Sequence, residues 1–399
     1  MRFPEFEGEW ETKKLGEIAT FSKGKGISKS DIEENGIIEC IRYGELYTHY
    51  REVINEIKSK TNLNTSTLIL SEKNDVIIPA SGETTIDIAT ASCVLKSGIA
   101  LGGDLNIIKT KNNGIFLSYY LNSKKKMEIA NLAQGISVVH LYSSQLASLS
   151  LNLPKLNEQN RISSFLALID ERIQTQNKII KELETLIYSF RNQLFKQKIR
   201  FIDHYKEKFP KWVKYKMCDI SERIVKKNSD RNQNVLTISA QFGLISQLEF
   251  FNKSVSAKDV SGYYLLEKNE FAYNKSYSKG YPMGAIKRLK KYNKGIVSTL
   301  YICFRLNPNV NLDFMEQYFE SGIQNPEIEK IAQEGARNHG LLNVGVSDFF
   351  NIEVNLPSLE EQQKIASFLS SLDQKIQAEM EILIQFENQK KYLLQQMFI

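Results

Sequence analysis

The most constraining feature of this 399-residue chain is an internal repeat with a period close to half its length. Residues 153–159 are LPKLNEQ and residues 356–362 are LPSLEEQ, a shift of 203 positions that holds without a gap to Phe195 and Phe398. Solenoids repeat every 20 to 50 residues or so, so this longer period indicates two copies of one large unit. Two copies in one chain also suggest a target that has two parts.

The repeated segments have the apolar spacing of a coiled coil, with alternating steps of three and four residues. Residues 157–198 and 360–399 contain no Pro or Gly, so each segment is predicted to form a helix of roughly 40 residues, about 60 Å long. The predicted seam consists of Ile162, Leu166, Ile169, Ile173, Ile180, Leu183, Ile365, Leu369, Leu372, Ile376, Leu383 and Phe386. We expect the two helices to pair antiparallel within one molecule, which relates the halves by an approximate two-fold axis.

Polar residues interrupt this seam at equivalent places, Gln176 and Glu379. They are either tolerated near a solvated edge or paired with each other. A buried polar pair costs stability but penalises slipped alignments. The sequence leaves both interpretations open.

Each helix is preceded by a segment that begins with a similar phrase around Trp10 or Trp212, the only two tryptophans. Short β-like runs, turns and a few helices predict α+β domains between these ends. The predicted layout is a first globular domain (1–152), a central helix (153–200), a second globular domain (201–355) and a C-terminal helix (356–399). Apart from their ends, the two globular domains share little sequence.

The composition is that of a globular protein with proper cores, 42% hydrophobic and 25% charged residues. A net charge of +6 is compatible with nucleic acid but does not establish it. The four cysteines are far apart and predict buried thiols in a reducing compartment. No signal peptide or membrane-length apolar run is present, so we expect a cytoplasmic protein.

The second domain contains a run, from 273 to 294, with seven basic residues, interleaved tyrosines and no acid. Lys and Arg neutralise phosphates, and tyrosine reaches bases or phosphate oxygens. Nucleic-acid contact is therefore predicted here, although a basic run is often only a solvated face. The candidate contacts are Lys275, Tyr277, Lys279, Tyr281, Lys287 and Arg288.

The first domain offers weaker signals of the same kind. Lys23 and Lys25 lie in a small glycine loop, which lacks the spacing of a phosphate-binding P-loop and fits a plain turn better. Polar loops that follow strand-like runs add four more candidates for base or phosphate contact. They are Arg42, Tyr43, Ser81 and Thr84.

No catalytic or metal-binding motif is present. The sequence lacks a P-loop, a methyltransferase tetrad, a dinucleotide fingerprint and HExxH, and its four histidines do not cluster. We therefore predict no catalytic residues and no metal site.

This layout of two variable domains, each followed by a helix that opens with an LPxLxEQ-like motif, resembles the specificity subunit of type I restriction-modification systems. The resemblance implies that each domain is a target recognition domain reading one half of a bipartite DNA site. It also implies that the helices set the spacer and hold the methyltransferase subunits. By position, Arg337, in the loop before the second helix, is a further candidate contact. Lys390, at a seam position, departs from the pattern and predicts weaker pairing there.

The partners implied by the resemblance are double-stranded DNA, two methyltransferase subunits and two restriction/translocase subunits. The assembled complex would methylate adenine N6 and cut DNA in an ATP-dependent way. S-adenosylmethionine, ATP and Mg²⁺ would be bound by the partners, and this chain would be non-catalytic.

Two other functions are compatible with parts of the sequence. A coiled-coil scaffold whose domains bind proteins would share the helices but would not need the basic residues. A self-sufficient nuclease or methyltransferase is disfavoured by the missing motifs. Binding to DNA that weakens steeply with salt distinguishes the specificity subunit from the scaffold.

Overall fold

The computed structural model describes residues 1–135, 137–239, 242–253, 256, 259–278, 280–332 and 342–398. The chain divides into two compact units. Unit 1 consists of Met1–Lys178 together with Glu381–Ile399, and unit 2 consists of Ile179–Met380. Each unit therefore combines a globular part with one half of each repeated helical segment. The predicted domain boundaries at 152, 200 and 355 stay a prediction.

The strands of unit 1 are β1 (Glu11–Lys14), β2 (Ala19–Lys23), β3 (Ile38–Ile41), β4 (Val53–Ile54), β5 (Ser59–Thr61), β6 (Ile69–Leu70), β7 (Val76–Pro79), β8 (Ser81–Gly82), β9 (Ser92–Val94), β10 (Ala100–Leu101), β11 (Leu105–Thr110), β12 (Val139–His140) and β13 (Ser150–Leu153). Its helices are α1 (Leu15–Ile18), α2 (Glu45–Thr48), α3 (Thr85–Ile88), α4 (Gly114–Ser123), α5 (Lys126–Leu132), α6 (Ser143–Ala147), the first part of α7 (Leu156–Phe195) and the last part of α13 (Leu359–Met397).

The strands of unit 2 are β14 (Val213–Lys216), β15 (Ser221–Arg223), β16 (Leu236–Ser239), β17 (Gly243–Ser246), β18 (Tyr264–Glu267), β19 (Phe271–Asn274), β20 (Ala285–Arg288), β21 (Lys294–Val297), β22 (Ile302–Leu306) and β23 (Glu353–Leu356). Its helices are the last part of α7, α8 (Met217–Ile220), α9 (Gln247–Phe251), α10 (Leu312–Ser321), α11 (Asn325–Ile331), α12 (Val346–Asn351) and the first part of α13 (Leu359–Met397).

The two globular parts share a central antiparallel sheet. The four shared strands have the order β2-β11-β7-β9 in unit 1 and β15-β22-β19-β20 in unit 2, and in unit 1 a fifth strand, β4, pairs parallel with β9. A two-stranded ribbon, β1 with β13 or β14 with β23, joins the start of each globular part to the strand just before the long helix. The interiors thus have more in common than the sequence indicated, because many different apolar residues satisfy the same buried strand positions.

The differences lie in what each unit adds to this shared sheet. Unit 1 has a second sheet of order β5-β3-β10-β6, as well as α2. Unit 2 has instead the separate pairs β16–β17 and β18–β21, as well as α9. The shared sheet and ribbon thus form a common framework, and the additional strands and helices of each unit form a different insert.

The long helices pair antiparallel, as the sequence predicted. In unit 1 the start of α7, with Ile162 and Leu166 buried, packs in one core with the end of α13, including Leu393 and Met397. In unit 2 the end of α7 packs with the start of α13, for example through the Phe190 and Phe368 rings, 5.0 Å apart. The α+β class and the helix pair are confirmed.

The remaining predicted seam positions are also shielded from solvent. The buried ones are Ile169, Ile173, Ile180, Ile365 and Leu369. The half-buried ones are Leu183, Leu372, Ile376, Leu383 and Phe386. Of the two polar interruptions, Gln176 is buried and Glu379 is half-buried with an ion pair to Lys375, 2.9 Å away.

The repeated LPxLxEQ-like motif has a structural role in each unit. The Glu158 carboxylate accepts two hydrogen bonds from Arg2, each 2.7 Å, and one from Trp10 Nε1 at 3.3 Å. In unit 2 the Glu361 carboxylate accepts bonds from Arg200 (2.6 and 3.0 Å) and from Trp212 Nε1 (3.2 Å). Both glutamates are fully buried at 1% and 0% exposure, so this triad fixes the globular part to the first turn of its helix.

The glutamine of the motif makes a second repeated contact. Gln159 accepts a bond from the Asn113 backbone N–H at 3.0 Å, and Gln362 accepts one from Asn311 at 2.9 Å. Both asparagines cap the helix after the central sheet, α4 or α10, through their side chains. The motif therefore ties the long helix to the helix that packs on the sheet.

The last phenylalanine of each repeat completes an aromatic cluster. Phe398 lies 5.4 Å from the rings of Phe116 and Tyr120 in unit 1. Phe195 lies 5.5 Å from the rings of Phe314 and Tyr318 in unit 2. The end of one long helix is thereby packed into the core of the unit in which the other one starts.

Candidate nucleic-acid interface

The glycine loop after β2 does not offer its backbone to an anion. The Gly24 and Lys25 N–H groups donate to the carbonyls of Leu105 and Leu101, each at 3.0 Å. A Cβ at Gly24 would lie 1.9 Å from the Gly102 carbonyl oxygen, so only glycine allows this approach. Because these two amides are used, the candidate contacts of this loop are the exposed side chains of Lys23 and Lys25.

The loop after β3 is held by a buried carboxylate that the sequence analysis did not single out. Glu45, 4% exposed, accepts bonds from the Arg42 side chain at 3.1 Å and from Ser59 at 2.5 Å. Arg42 is half-buried and so is Tyr43, which packs against the core beneath the second sheet. The charge of Arg42 is therefore partly neutralised by a carboxylate of the same unit.

The loop after β7 brings the other candidates to the same region. Ser81 is buried in the β8–β12 pair, opposite His140, whereas Thr84 is exposed and caps α3 by accepting from the Asp87 N–H. Lys23 lies 5.9 Å from the centre of the Tyr142 ring, which stacks on His140.

Two further contacts join these loops into one surface. Tyr47 and Asp87 line one cavity, and the pKa of Tyr47 is raised by burial and then by the charges of Tyr43 and Asp87. Gly102 and Gly103 bridge the first and second loops, through bonds to the Ile41 and Gly26 carbonyls. We name this surface the unit 1 edge; it comprises residues 23–27, 42–47, 81–87 and 139–142.

His140, Tyr142 and Tyr47 on the unit 1 edge were missed by sequence reasoning. None lies in a motif or a charge run. Only the strand pairing of β8 with β12 brings 140 beside 81, so no local signal could have identified them.

In unit 2 the corresponding surface is the segment after β19, residues 275–278 and 280–284, which we name the unit 2 edge. Like the segment after β7, it leaves the central sheet and bonds to the chain ahead of the last short helix: Leu342 N donates to the Lys275 carbonyl as Leu141 N donates to that of Ala80. Lys275 is half-buried, with its ammonium 3.4 Å from the Val344 carbonyl, and Tyr277 is 62% exposed. The candidates Lys279 and Arg337 lie outside the described residues.

Most of the basic run is neutralised within unit 2. Lys287 is 7% exposed and its ammonium lies 2.5 Å from Glu320, which also accepts from the Tyr281 hydroxyl at 2.6 Å. Arg288, 8% exposed, pairs with Asp313 at 2.6 Å and Glu316 at 3.1 Å. These acids lie on α10, so they were invisible in a run that itself has none.

The outer cations of the run are paired as well. Lys290 lies 3.2 Å from Glu316, Lys291 pairs with Glu249, and Lys294 lies 2.7 Å from Asp230. The hydrogen bond that each ammonium donates to its acid raises the pKa of Lys291 and Lys294. Burial, followed by the charge of Glu320, raises the pKa of Tyr281. Lys287, Arg288 and Tyr281 thus have structural partners that the sequence did not reveal.

The described residues contain neither a metal-binding group nor a membrane-spanning helix. No group of three or more His, Cys, Asp and Glu side chains there could hold a metal ion. No helix in this part of the chain has both the length and the apolar character needed to span a bilayer.

The matching family model is described as the type I restriction modification DNA specificity domain, and it matches twice, at residues 7–185 and 211–388. These two matches cover most of the chain. This protein belongs to the type I restriction-modification specificity family. Each match starts before the strand that opens a globular part and ends inside a long helix, so the family's repeated domain is the framework described above together with its insert.

Sequence identity to an individual member of the family is low. The specificity subunit of the type I restriction enzyme EcoR124I/EcoR124II from Escherichia coli is 27% identical over 207 residues, 48% of this chain and 50% of that subunit. The chain thus aligns with only half of that relative.

Solved structures share the fold over the whole chain. The type I restriction-modification S subunit of M. genitalium has a TM-score of 0.62 at 16% identity, covering 100% of this chain and 99% of that one. A chain from a structural study of complex assembly and conformational transition of the type I R-M system has a TM-score of 0.54 at 15% identity, covering 98% of both chains. At these identities the specificity-subunit architecture is what is shared.

Proposed function

We propose that this chain is the DNA-reading subunit of a type I restriction-modification complex and that each unit reads one half of a bipartite site. The observation that carries this is one framework with two different inserts, combined with membership of a DNA specificity family. Identical inserts would read the same bases twice, whereas different inserts read an asymmetric pair of half-sites. The chain is the non-catalytic subunit in this proposal.

The two edges supply the contacts. On the unit 1 edge, Lys23, Lys25 and Thr84 are exposed, and Arg42 and Tyr43 border them. On the unit 2 edge, Tyr277 is exposed and Lys275 is half-buried. Cationic and hydroxyl side chains of this kind bind phosphates and base edges. Lys287 and Arg288 act behind the unit 2 edge, by fixing β20 to α10.

The long helices set the spacer between the half-sites and dock the methyltransferase subunits. Their exposed apolar side chains include Leu168, Tyr188, Ile384 and Tyr392, each more than half exposed. Methyltransferase subunits that cover these side chains remove apolar surface from water, which favours association.

The complete assembly contains two methyltransferase and two restriction/translocase subunits and is located in the cytoplasm. It methylates adenine N6 and cuts DNA with ATP. S-adenosylmethionine, ATP and Mg²⁺ are bound by those partner subunits.

Domain exchange tests the division of labour. Residues 211–352 are replaced by the matching segment of another family member, and methylated sites are sequenced in a host carrying the chimera with its methyltransferase subunit. We expect one half of the site to change and the other to stay. Replacing residues 1–152 is the matched control, which should change the other half. A change of both halves in either chimera contradicts the proposal.

Helix insertion tests the spacer. Four extra residues, about one helical turn, placed after Lys178 should alter the tolerated spacer length and leave both half-sites intact. The control is an Ala substitution of exposed Lys178, which should leave the spacer unchanged. If the insertion variant tolerates the same spacer length as the wild type, the helices do not set the spacer.

Salt dependence separates this proposal from a protein-binding scaffold. Phosphate contacts predict that DNA affinity falls steeply between 50 and 200 mM salt, by roughly three to five orders of magnitude for six to ten contacts. A scaffold shows weak DNA binding at all salt concentrations.

A further inference from the structure

A groove runs between the globular part of unit 1 and the end of α13. Two adjoining pockets form it, and they share Arg51, Glu52 and Lys390. One pocket extends along α13 past Lys391, and the other reaches Tyr47 and Asp87. The groove therefore starts at the unit 1 edge and continues along the end of α13.

Besides Lys390, four cations line this groove: Arg51, Lys124, Lys126 and Lys391. Arg51, Lys124 and Lys391 are exposed and Lys126 is half-buried. Within the described part of the chain, no carboxylate lies within ion-pair distance of any of the four. This contrasts with the basic run of unit 2, where Lys287, Arg288, Lys290, Lys291 and Lys294 all pair with acids.

Two of the groove's three acidic side chains already have partners. Glu52 lies 3.0 Å from the Lys390 ammonium, and Asp87 accepts from the Thr84 hydroxyl at 2.6 Å. Glu387 is exposed on the α13 wall. The four cations thus leave the groove with an excess of positive charge.

We infer that this groove holds the sugar-phosphate backbone of the DNA next to the half-site read by unit 1. The inference rests on the proposed function and deepens it. The groove is continuous with the unit 1 edge, its cations come from three sequence-distant segments, and they are distributed over both pockets. A polyanion with charges along its length can contact cations in both pockets, and such contacts provide affinity without reading bases.

The test uses the full chain assembled with its methyltransferase subunits. The variant R51Q/K124Q/K391Q removes three groove charges. The control K73Q/K111Q/K155Q removes three charges from exposed lysines of unit 1 that do not line the groove. Binding to duplexes with the cognate site and with a scrambled site is measured by fluorescence anisotropy across a series of salt concentrations, after gel filtration has established the assembly.

Each lost phosphate contact should reduce the slope of log affinity against log salt by about 0.9. We expect the groove variant to lose affinity for cognate and scrambled duplexes by the same factor, with a shallower slope and an unchanged ratio between them. The control should keep the wild-type slope. Equal slopes in the wild type and the groove variant overturn the inference, as does a loss of slope in the control alone.

Two other outcomes are distinguishable. Groove variants that no longer co-elute with the methyltransferase, while keeping the wild-type salt slope in the chain alone, show a protein-docking groove and overturn the inference. Wild-type complex that binds cognate and scrambled duplexes equally overturns the proposed function itself. In that case the groove inference falls with it.

Discussion

Each unit has an aspartate at the same position of the repeat, and the two units neutralise it with cations from different helix positions. In unit 1 Asp170 pairs with Lys390 at 2.7 Å and accepts from the Tyr119 hydroxyl. In unit 2 Asp373 pairs with Arg191 at 3.0 Å and accepts from Gln317. By the 203-residue shift, Lys390 corresponds to Ile187 and not to Arg191. The cation therefore comes from helix positions one turn apart.

This difference shows which part of the framework is constrained. The carboxylate positions are fixed because each lies where a globular part meets the helix pair. The cation only has to reach the carboxylate, and a long flexible side chain does so from either turn. Lys390, which the sequence predicts to weaken pairing, is instead 8% exposed and tied to Asp170 and to Glu52.

The largest expected effect comes from breaking the triad that both units share. Glu361→Ala leaves the Arg200 guanidinium and Trp212 Nε1 without their buried acceptor and should lower the free energy of unfolding by about 3–5 kcal/mol. Glu158→Ala should cost about the same, because its carboxylate is equally buried. Urea denaturation, combined with hydrogen exchange of β14–β23 or β1–β13, measures the loss and locates it.

Glu360→Ala is the control for this pair, since it removes a neighbouring carboxylate that is 51% exposed. It should change the free energy of unfolding by less than about 0.5 kcal/mol. If Glu360→Ala and Glu361→Ala cost the same, the triad does not hold the framework.

Removing the paired cation should lower the free energy of unfolding more at Asp170 than at Asp373. Lys390→Met leaves Asp170 uncompensated with only 11% of its side chain exposed, so a loss of about 3 kcal/mol is expected. Arg191→Met leaves Asp373, 43% exposed, and should cost about 1 kcal/mol or less. Thermal and urea unfolding compare the two.

A rescue experiment sharpens this comparison. Asp170→Asn added to Lys390→Met should recover much of the loss, because Asp170, the more buried of the two carboxylates that pair with Lys390, is then uncharged, and only Glu52, 15% exposed, lacks its partner. No recovery would mean that Lys390 acts through its packing over the Tyr119 ring, 5.3 Å away.

A smaller effect is expected at the buried pair behind the unit 2 edge. Lys287→Met should weaken DNA binding only as far as it destabilises unit 2, and Glu320→Gln added to it should restore both properties. If Lys287 contacted DNA directly, the double variant would stay defective in binding while regaining stability. Anisotropy titrations and urea denaturation of both variants separate these outcomes.

The smallest effect concerns the thiols. Burial raises the pKa of Cys40 to about 11 and that of Cys93 and Cys303 to about 12. These thiols are therefore neutral at pH 8, and Cys218 is exposed. Since the thiolate is the reactive form, Ellman's reagent should modify one thiol rapidly in the native protein and four in urea.

Cys218→Ser should abolish the rapid phase and leave stability within about 0.5 kcal/mol of wild type. A rapid phase that persists would mean that one of the sheet cysteines is accessible.

Much of the fold was predictable from periodicity. The steps of three and four residues from Ile162 onward, the absence of helix breakers and the repeated motif were enough for the helix pair. The shared central sheet was not predictable, because β11 and β22 have different residues at equivalent buried positions. The sequence predicted which loops form the candidate site but not which of their charges are exposed. Lys23 and Thr84 are exposed and stay candidates, whereas Lys287 and Arg288 have acidic partners from α10.

The sequence alone determined the two-copy architecture, the long helices and the motif that starts them, because these depend on local periodicity and on a repeat that can be aligned. Tertiary structure decided which charges are free. Lys287 is neutralised by Glu320, 33 residues away, and Lys390 by Asp170, 220 residues away. In the groove, Arg51, Lys124 and Lys391 form no ion pair with any acid in the described part of the chain, although Glu52 and Glu387 line the same cavity. Ion pairing depends on distances of a few ångströms between remote segments, and only folding sets those distances.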